Sequence, residues 1–247
     1  MVLALYKKAF ASLTKKPFRL LGIVWLGALL DTLGMLLFGS IPGLGLVISL
    51  LLVVALKNIY LQANRGQEIC AKNLFACFEN WQTAKRVLLG MGWMWLWILI
   101  WGLIPIVGVV FAVIRIYEYR LTPYILFNEP DVKPADAIKL SKERTKGYKG
   151  AMFWADILPS LLLFGVTLVL GLLAAIPFIG GLFGLAAFVV TIAAALFFSV
   201  FIGLVRASFY DHINEQQERK AGKSCGSCGA QNPREAGYCS SCGAKFN

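Results

Sequence analysis

Long apolar runs alternate with short polar connections along most of this chain, and the runs lack the every-second-residue alternation of a half-buried strand. Six runs of roughly 20 residues match the length that an α-helix needs to cross about 30 Å of hydrocarbon. Isolated strands cannot satisfy their backbone hydrogen bonds in lipid, so helices are the expected structure. The pattern predicts six transmembrane helices, near residues 18–39, 43–63, 84–103, 106–127, 150–174 and 179–209.

Three similar turns separate these runs in pairs. Each turn contains Ile-Pro followed by a glycine, at residues 41–45, 104–108 and 176–180. Proline fixes φ and removes a hydrogen-bond donor, whereas glycine permits a tight reversal of the chain. The turns therefore predict three helical hairpins of one design.

Composition agrees with a membrane protein. Of the 247 residues, 58% are hydrophobic and only 15% are charged, which is too apolar for a soluble domain. We predict an all-α membrane protein with a transmembrane domain over residues 1–210, a polar linker over 211–223 and a small zinc ribbon over 224–247.

The distribution of basic residues predicts the orientation of the chain. The formal net charge is +11, and the Ile-Pro turns carry no charged residue. The opposite connections are rich in Lys and Arg: Lys7, Lys8, Lys15, Lys16, Arg19, Arg65, Lys72, Lys85, Arg86, Lys133, Lys139, Lys142, Arg144, Lys146 and Lys149. The positive-inside rule then puts both termini in the cytoplasm of an inner membrane. A signal peptide is a poorer interpretation of the first 40 residues, because the apolar run is too long and no cleavage pattern follows it.

A short amphipathic helix is expected before each hairpin. Leu3, Tyr6, Phe10 and Leu13 recur at helical spacing between lysines, and residues 74–81 and 134–146 precede the second and third hairpins. Such basic helices lie on an anionic inner leaflet. Simple anchoring is favoured over a pocket for one lipid headgroup, since attraction to the leaflet needs no pocket.

Ionisable residues within two predicted spans are candidates for an intramembrane polar site. At 1.5 Å per residue, Asp31 lies about 16 Å from Pro42, and Arg115 lies about 15 Å from Pro105. Asp31 and Arg115 are thus expected near mid-membrane and could pair, since a charge there costs several kcal/mol without a partner or water. Two interpretations stay open: Asp31, Arg115 and Glu118 line a polar cavity, or Arg115 only pairs with Glu118 or extends to an interface.

The middle of the chain resembles a family of bacterial six-helix membrane proteins of unknown function. The resemblance rests on LFACFENW (74–81), LIPIVG, YRLTPYILFNEP (119–130) and ADAIKLSKERTKGYKG (135–150). The family is similar in repeat plan to the membrane domain of some glycerophosphodiester phosphodiesterases, but no hydrolase domain is present beside it here. The resemblance implies a six-helix fold in a bacterial inner membrane and no established activity.

The chemistry of the chain changes after the last predicted span. Cys225-Gly-Ser-Cys228-Gly-Ala and Cys239-Ser-Ser-Cys242-Gly-Ala repeat one motif, with ten residues between Cys228 and Cys239. A Cys-x-x-Cys turn directs two thiolates at one ion, and four thiolates complete a tetrahedral zinc site. The segment resembles the short bacterial zinc ribbon, including the Asn232-Pro233 pair.

We therefore predict one Zn²⁺ per chain, bound by Cys225, Cys228, Cys239 and Cys242. Four protein ligands leave no coordination position for water, so the metal is structural. Disulfides are disfavoured because the predicted compartment is reducing, and a thioredoxin-like role is disfavoured because no βαβ unit surrounds either pair.

No constellation of known catalytic residues is recognisable, so we do not expect an enzyme. Two functions are predicted. The first is a membrane scaffold or anchor whose zinc ribbon binds a cytoplasmic protein. The second is a transporter component or lipid-handling protein that uses Asp31, Arg115 and Glu118. Nucleic-acid binding is disfavoured, because the ribbon contains few basic residues and Glu235 opposes them.

Overall fold

The computed structural model describes residues 1–41, 43–104, 107–176, 180–232 and 236–245. A short 3₁₀ helix (Ala71–Phe75) and ten α-helices lie in these ranges. The α-helices are α1 (Val2–Lys15), α2 (Pro17–Phe38), α3 (Leu44–Asn64), α4 (Ala76–Glu79), α5 (Trp81–Gly102), α6 (Val107–Glu118), α7 (Thr122–Asn128), α8 (Pro134–Arg144), α9 (Lys149–Ala174) and α10 (Gly180–Ala221). Two short strands, β1 (Lys223–Ser224) and β2 (Gln231–Asn232), pair in the tail. The predicted all-helical class is confirmed for the body of the chain.

Contacts divide the chain into two compact units, Met1–Phe209 and Tyr210–Asn247. The helix α10 contributes residues to both units. The predicted polar linker, 211–223, is therefore helical as far as Ala221. Gly222 follows with φ of +67°, a left-handed conformation that commonly ends helices.

Four helices in the described part of the chain are long and apolar enough to cross a membrane, namely α2, α3, α9 and α10. The bounds of the first three lie close to the predicted spans 18–39, 43–63 and 150–174. In α9, none of the 18 residues of its apolar window is buried against protein. Such an exposed apolar surface is stable in hydrocarbon and would be costly in water.

The predicted fourth span, 106–127, is not one helix. It is divided into α6, which has 12 residues, and α7, which has 7. Pro123 explains the break, because it lacks an N–H and its ring would collide with the carbonyl of Tyr119 in a continuous helix. The Thr122 N–H instead donates to the Tyr119 carbonyl in a turn, at 3.0 Å. At about 18 Å, α6 is shorter than the hydrocarbon core of a bilayer.

The helices of the first unit form a connected bundle. α2 packs along α3, while α5 contacts α3, α6, α7 and α8. Within α7, Thr122 to Leu126 are all buried. A Cβ on Gly203 of α10 would lie 2.4 Å from the Tyr60 ring of α3, so these helices approach closely because Gly203 has no side chain.

The predicted hairpin turns fall partly outside the described residues, which omit Pro42, 105–106 and 177–179. Gly43 is described. It precedes α3 with φ of +84°, a conformation that glycine adopts readily.

The three short helices predicted before the hairpins are present. They are α1, the 3₁₀ helix with α4, and α8. α1 packs on α2, α3 and α9 through its buried residues Leu5 and Ala9. Leu3 and Phe10, which belong to the predicted apolar face, are exposed. Tyr6, on the same face, donates to the Ala155 carbonyl of α9 at 2.9 Å, so only part of that face is exposed.

Candidate functional site

The four cysteines of the tail lie together. The Sγ atoms of Cys225, Cys228, Cys239 and Cys242 are all within 4.8 Å of one another. The Cys225 and Cys242 sulfurs are 3.5 Å apart, and the Cys228 and Cys239 sulfurs are 3.6 Å apart. The two motifs therefore contribute to one cluster.

The two Cys-x-x-Cys turns have the same backbone hydrogen bonds. The Gly229 N–H donates to the Cys225 carbonyl at 2.8 Å, and the Gly243 N–H donates to the Cys239 carbonyl at 2.9 Å. Gly229 and Gly243 have φ of +72° and +76°, where a side chain would be strained. These glycines let each turn fold back, so that both thiols point to the same place.

Asn232 joins the two turns and was not predicted to do so. It is 3% exposed. Its Nδ2 donates to the Ala230 carbonyl at 2.8 Å and to the Cys239 sulfur at 3.4 Å, while its Oδ1 accepts from the Ser240 N–H at 2.7 Å. The sequence signals were its place between the two motifs and the Asn232-Pro233 pair of the zinc-ribbon resemblance. Asn232 thus orients one sulfur and fixes the spacing of the turns.

The sulfur separations suit a four-coordinate metal ion. A tetrahedral ion with metal–sulfur bonds of about 2.3 Å holds its ligand sulfurs about 3.8 Å apart. A disulfide would need about 2.05 Å, and all four cysteines are free. The donor set therefore fits a soft or borderline metal ion such as zinc.

The surroundings of the sulfurs shift their pKa values in opposite directions. The backbone N–H groups of Cys242 and Ser241 lower the pKa of Cys239 to about 6. At Cys242, the Ala244 N–H lowers the pKa, but the neighbouring thiols, Cys228 foremost, outweigh it and raise the pKa to about 12. Four thiolates this close repel one another, and a bound dication removes that repulsion.

The other two cysteines lie in the helical unit. Cys77 in α4 is fully buried, and burial raises the pKa of its thiol to about 12. Cys70 accepts a hydrogen bond from Arg19 at 3.3 Å. Both have the surroundings of ordinary packed residues.

Two of the three predicted intramembrane residues come together. The Glu118 carboxylate has 5% of its side chain exposed and pairs with Arg115 of α6 and Lys149 of α9. The Arg115 guanidinium also lies 5.4 Å from the centre of the Trp101 ring. Arg115 thus pairs with Glu118, as one of the two interpretations from the sequence held. Lys149 is a second cation on the same carboxylate.

Asp31 is separate from that pair. Arg115 is paired with Glu118, and the Asp31 Oδ1 is buried with no hydrogen-bond partner among the described residues. The described contacts therefore pair Arg115 with Glu118 and not with Asp31.

The fold brings a second group of charges together, which the sequence did not predict. Arg120 and Arg206 both bond the Asp156 carboxylate, and Lys57 lies near the two arginines. These residues come from α3, the turn after α6, α9 and α10. Each one looks like a charge near a helix end, and only the tertiary structure brings them together.

Comparison with protein-family models, curated proteins and solved structures finds no match for this chain. The resemblance to a bacterial six-helix family therefore stays a prediction. The function has to be inferred from the geometry of the two units.

Proposed function

We propose that the protein is an integral inner-membrane scaffold or anchor that presents a structural zinc ribbon to a protein partner in the cytoplasm. The observation that carries this proposal is the convergence of four thiols in the tail of a chain that also has four helices suited to lipid. A protein that is held in the membrane by one unit and carries a small metal-bound domain as the other is suited to recruiting a partner protein to the membrane.

We propose six membrane crossings, in which α5 and α6 form the middle hairpin. α5 has 22 residues, enough to cross, although Lys85 and Arg86 lower the hydropathy of its first turns. α6 packs on α5, and the Trp101 and Phe111 ring centres lie 5.1 Å apart. The bacterial six-helix family that the sequence resembles would have the same topology.

The charge distribution supports cytoplasmic termini. Basic residues are frequent before α2, between α3 and α5, and around α8, while the Ile-Pro turns have none. An anionic inner leaflet attracts the first group of connections. The ribbon then lies in a reducing compartment, where its thiols stay available for a metal.

Zinc is the metal proposed for the four thiols. All four ligands come from the protein, so no position remains for an activated water, and the role is structural. The tail has almost no apolar core, so metal binding must provide much of its folding free energy. The residues that would hold the ion are Cys225, Cys228, Cys239 and Cys242.

Metal analysis of the purified protein tests this assignment. We expect one zinc per chain, lost on Cys225→Ser with Cys239→Ser and kept on Cys70→Ser, which removes a thiol outside the cluster. Unchanged zinc content in the double variant would reject the site.

An exposed aromatic residue offers a test of partner binding. Tyr238 is 63% exposed on the tail, next to Cys239. After crosslinking in cells, we expect a partner to be captured by the wild type and by Cys70→Ser, and lost with Tyr238→Ala although zinc is retained. Capture of the same partner by a chain without residues 224–247 would count against the scaffold.

A further inference from the structure

A large apolar cleft lies between α3 and α5. Its volume is about 670 Å³, within the range of about 300–1,000 Å³ typical of ligand pockets. It extends along α3 from Leu46 to Lys57, about 16 Å at 1.5 Å per residue. Its apolar lining includes Leu50, Val53, Met91, Trp95 and Leu99. The cleft is elongated along the helices, as a slot for a hydrocarbon chain would be.

One end of this cleft is basic. A smaller cavity of about 180 Å³ shares Lys57, Met94, Trp95 and Ile98 with the larger one. Arg120 and Arg206 complete its charged lining. The apolar slot and the basic cavity therefore meet at Lys57.

The cations at this end outnumber the anions. Arg120 and Arg206 share a single carboxylate, Asp156. The Arg120 Nη1 is buried and has no hydrogen-bond partner among the described residues. Three basic side chains therefore face one acidic side chain.

Lys57 itself has no anionic partner in the described part of the chain. The charged groups that act on it are Arg206 and Arg120, which repel it. An ammonium group away from bulk water costs several kcal/mol unless it is paired. A long lysine chain at a helix end can extend towards water, but here Lys57 lines both cavities.

We propose that this site binds a membrane lipid with an anionic headgroup, with one acyl chain in the cleft between α3 and α5 and the phosphate at Lys57, Arg120 and Arg206. The apolar cleft alone would accept any lipid chain. The unpaired Lys57 is the feature that selects an anion, because a phosphate supplies the missing charge and accepts several hydrogen bonds.

The site fits the depth of a lipid headgroup in the proposed topology. Lys57 lies seven residues before the end of α3, and Asp156 lies seven residues after the start of α9, so both are about 10 Å from the ends of their helices. These ends are the proposed cytoplasmic ends. The inference uses the membrane location proposed above and is independent of the zinc ribbon.

Lipid retention by the full-length protein tests the proposal. Protein in mild detergent is mixed with phosphatidylglycerol or with phosphatidylcholine of the same acyl chains, and retained lipid is counted by native mass spectrometry. We expect the wild type to prefer phosphatidylglycerol. Lys57→Met should reduce that preference about tenfold or more, the effect of losing a hydrogen bond between charged groups.

Two further variants separate the headgroup from the chain. A Cβ on Gly92 meets no atom within 4 Å and Gly92 lines the cleft, so Gly92→Leu should fill the slot and reduce retention of both lipids. Lys142→Met removes an exposed lysine of α8 and should change nothing. Lys57→Met should keep or raise the melting temperature, since it removes an unpaired charge.

The possible results are distinguishable. Equal retention of the two lipids by the wild type, or a phosphatidylglycerol preference that survives Lys57→Met, would overturn the proposal. If Gly92→Leu retains as much of both lipids as the wild type, the cleft between α3 and α5 does not hold an acyl chain. Displacement of phosphatidylglycerol by millimolar inorganic phosphate would indicate a site for a soluble anion instead of a lipid. Loss of zinc in the cysteine variants leaves each of these results unaffected.

Discussion

Asn232 links the two turns that hold the four thiols. Asn232→Ala would remove the donor to the Cys239 sulfur and the acceptor for Ser240. Residues that orient metal ligands typically contribute about 10- to 100-fold in affinity. We expect a loss of zinc affinity in that range, measured by competition with a chromogenic chelator.

Ser227→Ala is the matched control for this experiment. Ser227 lies within the first turn, and its side chain is exposed. Its N–H favours the Cys225 thiolate, and this backbone group is kept in the variant. An equal loss of affinity in both variants would show that Asn232 has no special role.

Asp31 has a buried carboxylate oxygen without a partner, so its charge is expected to cost stability. Asp31→Asn should therefore leave the melting temperature unchanged or raise it, in contrast to most substitutions inside a protein. Thermal unfolding in detergent measures this. Asp136→Asn, at an exposed ion pair with Lys139, provides the comparison. A clear fall in melting temperature for Asp31→Asn alone would indicate a stabilising partner for the carboxylate and would contradict this prediction.

Glu118 connects three helices. Its carboxylate bonds Arg115 of α6 and Lys149 of α9, and its backbone carbonyl accepts from Ser141 of α8 at 2.7 Å. Ser141 and Thr145, both fully buried, hold this end of α6 in place. Ser141 and Thr145 belong to the segment 135–150 that resembles the six-helix family, and their role here is to pack α8 against α6.

Glu118→Gln leaves two cations without their anion. We expect a loss of about 2–3 kcal/mol in stability, the scale of hydrogen bonds to charged groups. Glu79→Gln breaks the exposed pair with Lys72 and should cost less than about 1 kcal/mol. Chemical or thermal unfolding distinguishes the two, and equal effects would contradict the role assigned to Glu118.

Helix positions were predictable where an apolar run ended at a polar connection. The bounds of α2, α3 and α9 follow from the lengths of the apolar runs and from the Ile-Pro turns that separate them. The break between α6 and α7 was missed because apolar residues continue beyond it as far as Phe127, although Arg115, Glu118 and Arg120 stand just before it. Pro123 was the available signal, since a proline is tolerated in the first turn of a helix but not in its interior.

The thiol cluster was predictable because its ligands are set by spacing within two short motifs. The cation group around Asp156 was not, because Lys57, Arg120 and Arg206 are far apart in sequence and each resembles an ordinary charge near a helix end. The pairing of Glu118 with Lys149 was missed for the same reason. The spacing of residues in the sequence predicts a site that one short segment forms. A site formed between helices can be found only from the way the helices pack.

The number of crossings determines where the tail lies. Phosphatase fusions after Ile41, Ile104 and Ile176 should be active outside the cytoplasm, whereas fusions after Lys146 and at the C-terminus should be inactive. Fluorescent-protein fusions should give the reverse pattern. An active phosphatase at the C-terminus would contradict the proposed topology. An inactive phosphatase after Ile104 would show that the middle hairpin does not cross the membrane.

The break at Pro123 has a consequence for the surrounding bilayer. α6 is about 12 Å shorter than a hydrocarbon core of about 30 Å. Such a mismatch draws the leaflets together or is shielded by neighbouring protein, and α6 has α5, α8 and α9 beside it. Lipids with shorter tails would reduce the deformation on the uncovered side of α6. If α6 crosses the bilayer as proposed, membrane thickness becomes a quantity to which we expect this protein to respond.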